Sequence, residues 1–326
     1  MWTLLSLLQN QLIWSVPISM IVGILFGLAT DPSGLKDLIV PLTFLMVYPM
    51  MINLQFGKLV AGGNWKLQGV AQFINFGVVP FLAYGIGWLF FRDQPLIWLG
   101  LLLTGLLPTS GMTISWTGFA KGNLTAAIQM TVIGLILGSL ATPLYAQALL
   151  GRAIEIPLME TFKQIAIVVF LPMILGLVTK KVLISTVGKQ KYEGNLKKKF
   201  PVFSTLGVLG IVFVAMALKA KAIVASPLVF LGYFGPLVLI YLINFVLSTV
   251  VGKVWFSRED AIALVYGTVM RNLSIALAIA MTVFGAKAGA EIALIISMSY
   301  IIQVQAAAWY VKLSDRWFGK PVAEGL

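Results

Sequence analysis

The sequence contains no cysteine and no histidine. The first absence removes disulfides and thiolate chemistry; together they remove most transition-metal sites. Charge is scarce as well. Charged residues make up 10% of the 326 residues, whereas soluble domains carry about 25%. Only 11 are acidic, and these lie in or beside polar islands rather than within apolar runs. No carboxylate pair, nucleophile–base set or phosphate loop is present, so the chain is expected not to be an enzyme and to hold no cofactor or metal.

What remains is apolar. Hydrophobic residues make up 60% of the chain. Charge-free runs such as Met1–Thr30, Leu67–Phe91, Gly122–Gly151 and Ala222–Gly252 suit membrane helices, which need about 20 apolar residues. The sequence predicts an all-α membrane protein with ten transmembrane helices. They are Leu12–Ala29, Leu35–Gln55, Gln68–Phe91, Leu96–Phe119, Leu124–Leu150, Thr161–Lys180, Phe200–Leu218, Pro227–Val251, Glu259–Gly285 and Gly289–Lys312. Met1-Trp2-Thr3-Leu4 lacks a basic leader, so the first apolar segment is expected to be retained.

The net charge of +12 follows the loops. One face carries Lys58, Lys66, Lys121, seven Lys from Lys180 to Lys199, Lys253, Arg258, Lys312, Arg316 and Lys320, fifteen in all. The other carries Lys36, Arg92, Arg152, Lys163, Lys219, Lys221 and Lys287; Arg271 completes the 23. This split expects both termini and the Lys181–Lys199 linker to be cytoplasmic, in a plasma (inner) membrane. The Lys cluster lacks aromatic interleaving and is read as orientation charge, not a nucleic-acid site. The Asn123-Leu124-Thr125 sequon falls on the cytoplasmic face and is discarded.

Ten spans divide into halves of five, 1–152 and 153–326, which an odd crossing number makes inverted repeats. The fourth span of each half is interrupted by small polar residues. The first interruption is Pro108-Thr109-Ser110-Gly111-Met112-Thr113; the second is Gly267-Thr268 with Arg271-Asn272-Leu273-Ser274. Arg271 is the only charged residue inside a long apolar stretch. A guanidinium at bilayer depth costs roughly 2.5–3.5 kcal/mol on insertion scales and stays protonated. It must have a partner, a wet cavity or a ligand.

These interruptions, with Ala120-Lys121-Gly122-Asn123, Met270-Arg271-Asn272 and Asn75-Phe76-Gly77-Val78-Val79-Pro80, resemble motifs of the bile acid/sodium symporter family. The matching family forms are a Pro-Gly-Gly-rich break, an Ala-Arg-Gly-Asn turn, Met-Gln-Asn and Gln-Phe-x-x-x-Pro. The wider group includes the arsenical-resistance permeases. The resemblance implies discontinuous helices 4 and 9 crossing near the membrane centre, panel and core domains that rock against each other, and two sodium ions behind the crossing. The chain departs from that pattern at the sodium positions. The family's Glu falls on Gly267, its Gln residues on Arg271 and Asn75, a Ser-Asn pair on Thr113-Ile114 and a Ser on Ala127, while a Thr is kept as Thr131. A lost carboxylate and an added fixed cation argue against ordinary two-sodium coupling.

Two roles stand open for Arg271: capping carbonyls freed by the break in the former cation pocket, or binding an anion bidentately. Asn272 and Thr113 either satisfy loose backbone groups or touch substrate. Thr109, Ser110 and Gly111 sit where half-helix N-termini direct partial positive charge at an anion. Gln303 and Gln305, deep in the tenth span, are read as polar helix contacts or, in the alternative, as ligand positions, and Gly23/Gly27 and Gly134/Gly138 as close-packing positions. The expected function is secondary active or facilitative transport of a small or amphipathic anion by alternating access. Its partners are that anion and membrane lipid. Arsenite efflux is the runner-up; that permease group carries a Cys near the fourth-span break, where this chain has Thr109 or Ser110. A non-transporting receptor is the alternative of another class.

Overall fold

A computed structural model describes residues 11–55, 57, 63–197 and 199–319. The expectations for Met1–Leu4, Lys58, Lys198 and Lys320 lie outside these residues. The described residues form helices and turns without a named strand. In chain order these are α1 (Leu12–Ala29), α2 (Ile39–Ile52), α3 (Trp65–Phe91), α4 (Pro95–Leu106), α5 (Gly111–Phe119), α6 (Leu124–Leu150) and α7 (Leu158–Val187). They continue with α8 (Phe200–Ala225), α9 (Phe234–Trp255), α10 (Arg258–Val269), α11 (Leu273–Val283) and α12 (Gly285–Phe318). Seven helical segments among the described residues are long and apolar enough to cross a membrane; Trp14–Ala29, Pro95–Leu106 and Leu273–Val283 are shorter apolar helices. The chain is an integral, multi-pass membrane protein. Stripes such as Val238, Leu242, Val246 and Val250 on α9 stay exposed at one-turn spacing, as a lipid-facing surface requires.

Two groups of helices pack side by side. In one, α8 lies along α1 and α2, and α7 lies on α2. Gly23 and Gly27 of α1 let the α8 backbone approach: a Cβ at Gly23 would lie 2.6 Å from the Phe213 carbonyl. The other group holds α3–α6 and α9–α12, and its centre is α4, α10 and α11. Every residue of α10 from Ala261 to Val269 is buried. The groups meet mainly where α8 and α1 pack on α12 and where α7 and α2 pack on α11.

Prolines shape two of the long helices. A proline has no N–H and clashes with the carbonyl four residues back. Each helix answers with a π turn before the ring: Phe73–Val78 ahead of Pro80, and Ala166–Phe170 ahead of Pro172. The carbonyl freed by Pro80 is that of Phe76, which accepts the Tyr145 hydroxyl at 2.7 Å.

The Lys181–Lys199 segment corrects its reading as a loop. Helix α7 runs on to Val187, and helical turns at Lys189–Lys191 and Tyr192–Leu196 lead to α8. The segment docks on the end of α2. Tyr192 is buried with its hydroxyl on the Ile52 carbonyl, Lys180 donates to the Leu54 carbonyl, and Asn53 donates to the Lys197 carbonyl.

Candidate functional site

The α4–α5 and α10–α11 breaks cross each other. Pro108 and Arg271 form an isolated antiparallel bridge. Thr109 N–H donates to the Met270 carbonyl at 2.7 Å and Asn272 N–H to the Leu107 carbonyl at 2.8 Å. Each break therefore satisfies backbone groups of the other, which apolar surroundings make obligatory. Gln303 of α12 closes the assembly. Its Oε1 accepts the Arg271 N–H at 2.7 Å, and its Nε2 donates to the Arg271 carbonyl at 3.3 Å. Tyr241 donates its hydroxyl to the same Oε1 at 3.0 Å. Gln303 is a polar helix contact, as its depth in the sequence suggested, but its clamp on the Arg271 peptide was not legible there. Gln305 is half-buried.

These exchanges leave specific carbonyls behind. In continuous helices the Gly105, Gly267 and Thr268 carbonyls would accept from residues 109, 271 and 272. All three N–H groups now donate elsewhere. The Arg271 side chain, 2% exposed, covers two of the gaps. Its Nη1 donates to the Gly105 carbonyl at 3.3 Å and to Asn75 Oδ1 at 3.1 Å, and its Nη2 donates to the Thr268 carbonyl. Asn75 covers the third, donating Nδ2 to the Gly267 carbonyl at 3.0 Å. The π turn ahead of Pro80 places Asn75 for this bond. Asn244 of α9 adds a second donor to the Thr268 carbonyl at 2.8 Å. One cation thus sits among three neutral oxygens drawn from α3, α4 and α10.

The other expected residues serve the helix ends. Thr109 takes the left-handed backbone region at φ 62°, a conformation costly for a non-glycine residue. It is buried, and its hydroxyl donates to the Pro108 carbonyl at 2.7 Å. Ser110 caps α5 and forms a capping box with Thr113. Gly111, at the first position of α5, is exposed. Asn272 caps α11 through the Ile275 N–H at 3.2 Å. Among the former-sodium positions, Asn75, Gly267 and Arg271 come together. Thr131 lies under the Thr109 hydroxyl and donates its own hydroxyl to Ala127. Thr113 and Ile114 belong to α5 and make no hydrogen bond to that cluster. The Met130 thioether fills the space a Cβ at Gly267 would need. Gly134 and Gly138 of α6 do more than pack: added Cβ atoms would lie 2.7 Å from the Thr109 hydroxyl and 2.9 Å from Pro108 Cδ. They seat the α4–α5 break.

A cavity of about 10 Å³ lies beside the guanidinium, lined in part by Thr104, Tyr241, Asn244 and Arg271. No acidic side chain pairs with Arg271 among the described residues. No group of three or more acidic residues there is placed to hold a metal ion.

Residues 40–226 match the family described as the Sodium Bile acid symporter family. The chain is 27% identical over 301 residues to the arsenical-resistance protein Acr3 of Alkaliphilus metalliredigens, covering 87% of this chain and 83% of that protein. It is 23% identical to the arsenical-resistance protein Acr3 of Corynebacterium glutamicum, covering 93% and 88%. It is 24% identical to the uncharacterized sodium-dependent transporter YocS of Bacillus subtilis, covering 72% of each.

Proposed function

This chain belongs to the sodium bile acid symporter family, whose members are membrane transporters, and on that footing we propose that it carries a small or amphipathic anion by alternating access without ordinary two-sodium coupling. The observation that supports this reading is the Arg271 guanidinium on the Asn75, Gly105 and Thr268 oxygens. A cation anchored to the chain occupies a nest of neutral oxygen donors behind the crossing. It supplies permanently the positive charge that a bound sodium would bring, and it repels a second cation.

The same reading takes ten crossings. The seven long segments are joined by α1 and by the two broken spans α4–α5 and α10–α11. Residues 1–152 and 153–326 are then inverted repeats, each broken in its fourth span. The α1, α2, α7 and α8 group is the panel and the rest the core, with both termini cytoplasmic in the plasma (inner) membrane. The N-terminal ends of α5 and α11 begin three and two residues after the bridge, at Gly111 and Leu273. Their partial positive charge favours an anion at the crossing. Ser110 and exposed Gly111 are the proposed substrate contacts; Thr109, Thr113, Asn272 and Arg271 hold the backbone that presents them.

Arsenite is the second reading, favoured by the names of two relatives. The absence of cysteine weighs against it, because trivalent arsenic prefers thiolates. Uptake by proteoliposomes of a labelled bile acid, a short carboxylate, sulfate and arsenite, in sodium and in choline, tests both. Anion uptake equal in the two cations supports the proposal, arsenite uptake alone replaces it, and no uptake of any of them points to a receptor.

A further inference from the structure

We infer that the groove between α9 and α12 holds an anionic phospholipid, with its headgroup phosphate on Lys253 and Trp317. The two helices pack through one seam. The Phe245 and Tyr310 ring centroids lie 4.8 Å apart, and the Thr249 and Tyr310 hydroxyls are hydrogen-bonded. Beside that seam each helix keeps an exposed apolar stripe at one-turn spacing: Leu242, Val246 and Val250 on α9, and Trp309, Leu313 and Trp317 on α12. Each stripe rises about 12 Å along its helix, enough to carry the upper part of an acyl chain. Lys253 continues the α9 stripe one turn past Val250. Its ammonium stands over the Trp317 ring, 5.9 Å from the centroid. That contact brings the ends of the two stripes together.

The stripes alone would take any acyl chain; charge selects the headgroup. Lys253 is exposed, and so is Arg316, the residue before Trp317. Neither belongs to any of the three ion pairs among the described residues. The carboxylate beside Arg316 in sequence, Asp315, is held by Arg258 at 2.6 Å. Asp260, at the start of α10, accepts from Asn64 and Asn123. The positive charge at this end of the groove is therefore not met by the chain itself. An ammonium carries three donors and no acceptor, and a phosphate diester supplies anionic oxygens for them. The indole ring of Trp317 suits the headgroup level, where one side is apolar and the other wet. A choline headgroup would bring a second cation back beside Lys253, whereas a glycerol headgroup leaves the phosphate charge uncancelled.

The purified protein in detergent is titrated with dioleoyl phosphatidylglycerol and with dioleoyl phosphatidylcholine, and bound lipid is counted by native mass spectrometry. The chains are identical, so only the headgroup differs. A basic residue beside an anionic lipid is worth about fivefold in affinity. Phosphatidylglycerol should therefore bind about tenfold tighter or more. Lys253→Gln should weaken it about fivefold, and Lys253→Gln with Arg316→Gln should erase the preference. Phosphatidylcholine binding should not change. Lys66→Gln is the control: Lys66 stands over Trp255 and Phe256, and Trp255, two residues from Lys253, points to another side of α9. It removes the same charge and should leave the preference intact. All three side chains are exposed, so these variants keep the fold. Glycerol 3-phosphate should not displace the lipid. Equal affinity for the two lipids overturns the inference. A loss in Lys66→Gln as large as in Lys253→Gln overturns it too, because net charge alone then governs binding. Displacement by glycerol 3-phosphate does the same, by reducing the groove to a free-phosphate site.

Discussion

Arg271 was legible in the sequence as the one charge inside an apolar stretch, but its partners were not. They depend on which carbonyls the two breaks release, and that follows from a crossing between residues more than 160 positions apart. Gln303 was legible as a deep polar residue, and its hold on the Arg271 peptide rests on the same crossing. The arrangement makes distinct expectations. Arg271→Ala strands the Gly105 carbonyl, and a lost charged hydrogen bond costs about 1.5–3 kcal/mol. Thermal unfolding of the purified variant should fall accordingly, and an unchanged transition would deny Arg271 its capping role. Arg271→Lys keeps the charge but loses the planar fork, so it should recover only part of that loss. Gly267→Glu with Arg271→Gln removes the anchored cation and restores a carboxylate. Met130→Ala added to that pair makes room for the new side chain. The triple variant should gain sodium-dependent stabilisation that the wild type lacks.

At the scale of elements, the positions of the breaks could be read from Pro108 and from the small polar residues around Gly267 and Thr268. The reason they stay apart from their own helices could not. It lies in α6, where Gly134 and Gly138 leave space that Thr109 and Pro108 fill. Gly134→Ala should therefore distort the crossing, lowering the unfolding temperature and slowing any measured transport. Gly85 of α3 is the control, since an added Cβ there meets nothing within 4 Å. Gly85→Ala should be neutral or stabilise by up to about 1 kcal/mol. Equal behaviour of the two variants would mean that α6 does not seat the break. The Lys181–Lys199 segment failed as a loop reading because its charge concealed its docking. Buried Tyr192 and the bonds from Lys180 and Asn53 fix it as helical turns against α2.

For the whole molecule, composition alone carried the membrane class, while the division into two helix groups came from packing. Of the three ion pairs among the described residues, only Lys219–Glu291, at 2.7 Å, joins those groups. It lies between α8 and α12, so a rocking motion that parts these helices at that end must break it. Glu291→Lys should open the end, and Lys219→Glu with Glu291→Lys should close it again. The natural absence of cysteine gives a clean assay. A cysteine at Ala215, buried one turn from Lys219 on the same helix face, should react faster with a maleimide in Glu291→Lys and return to the wild-type rate in the double variant. Identical rates in all three would remove the ion pair from any gating role. A C-terminal reporter active only outside the cell would in the same way reject the ten-crossing topology. The central claim is that an anchored cation stands where a mobile one would bind. Direct binding of radioactive sodium to the purified wild-type protein tests it without knowledge of the substrate. The account predicts no saturable sodium binding displaced by excess unlabelled sodium; stoichiometric, saturable binding to the wild type would contradict it.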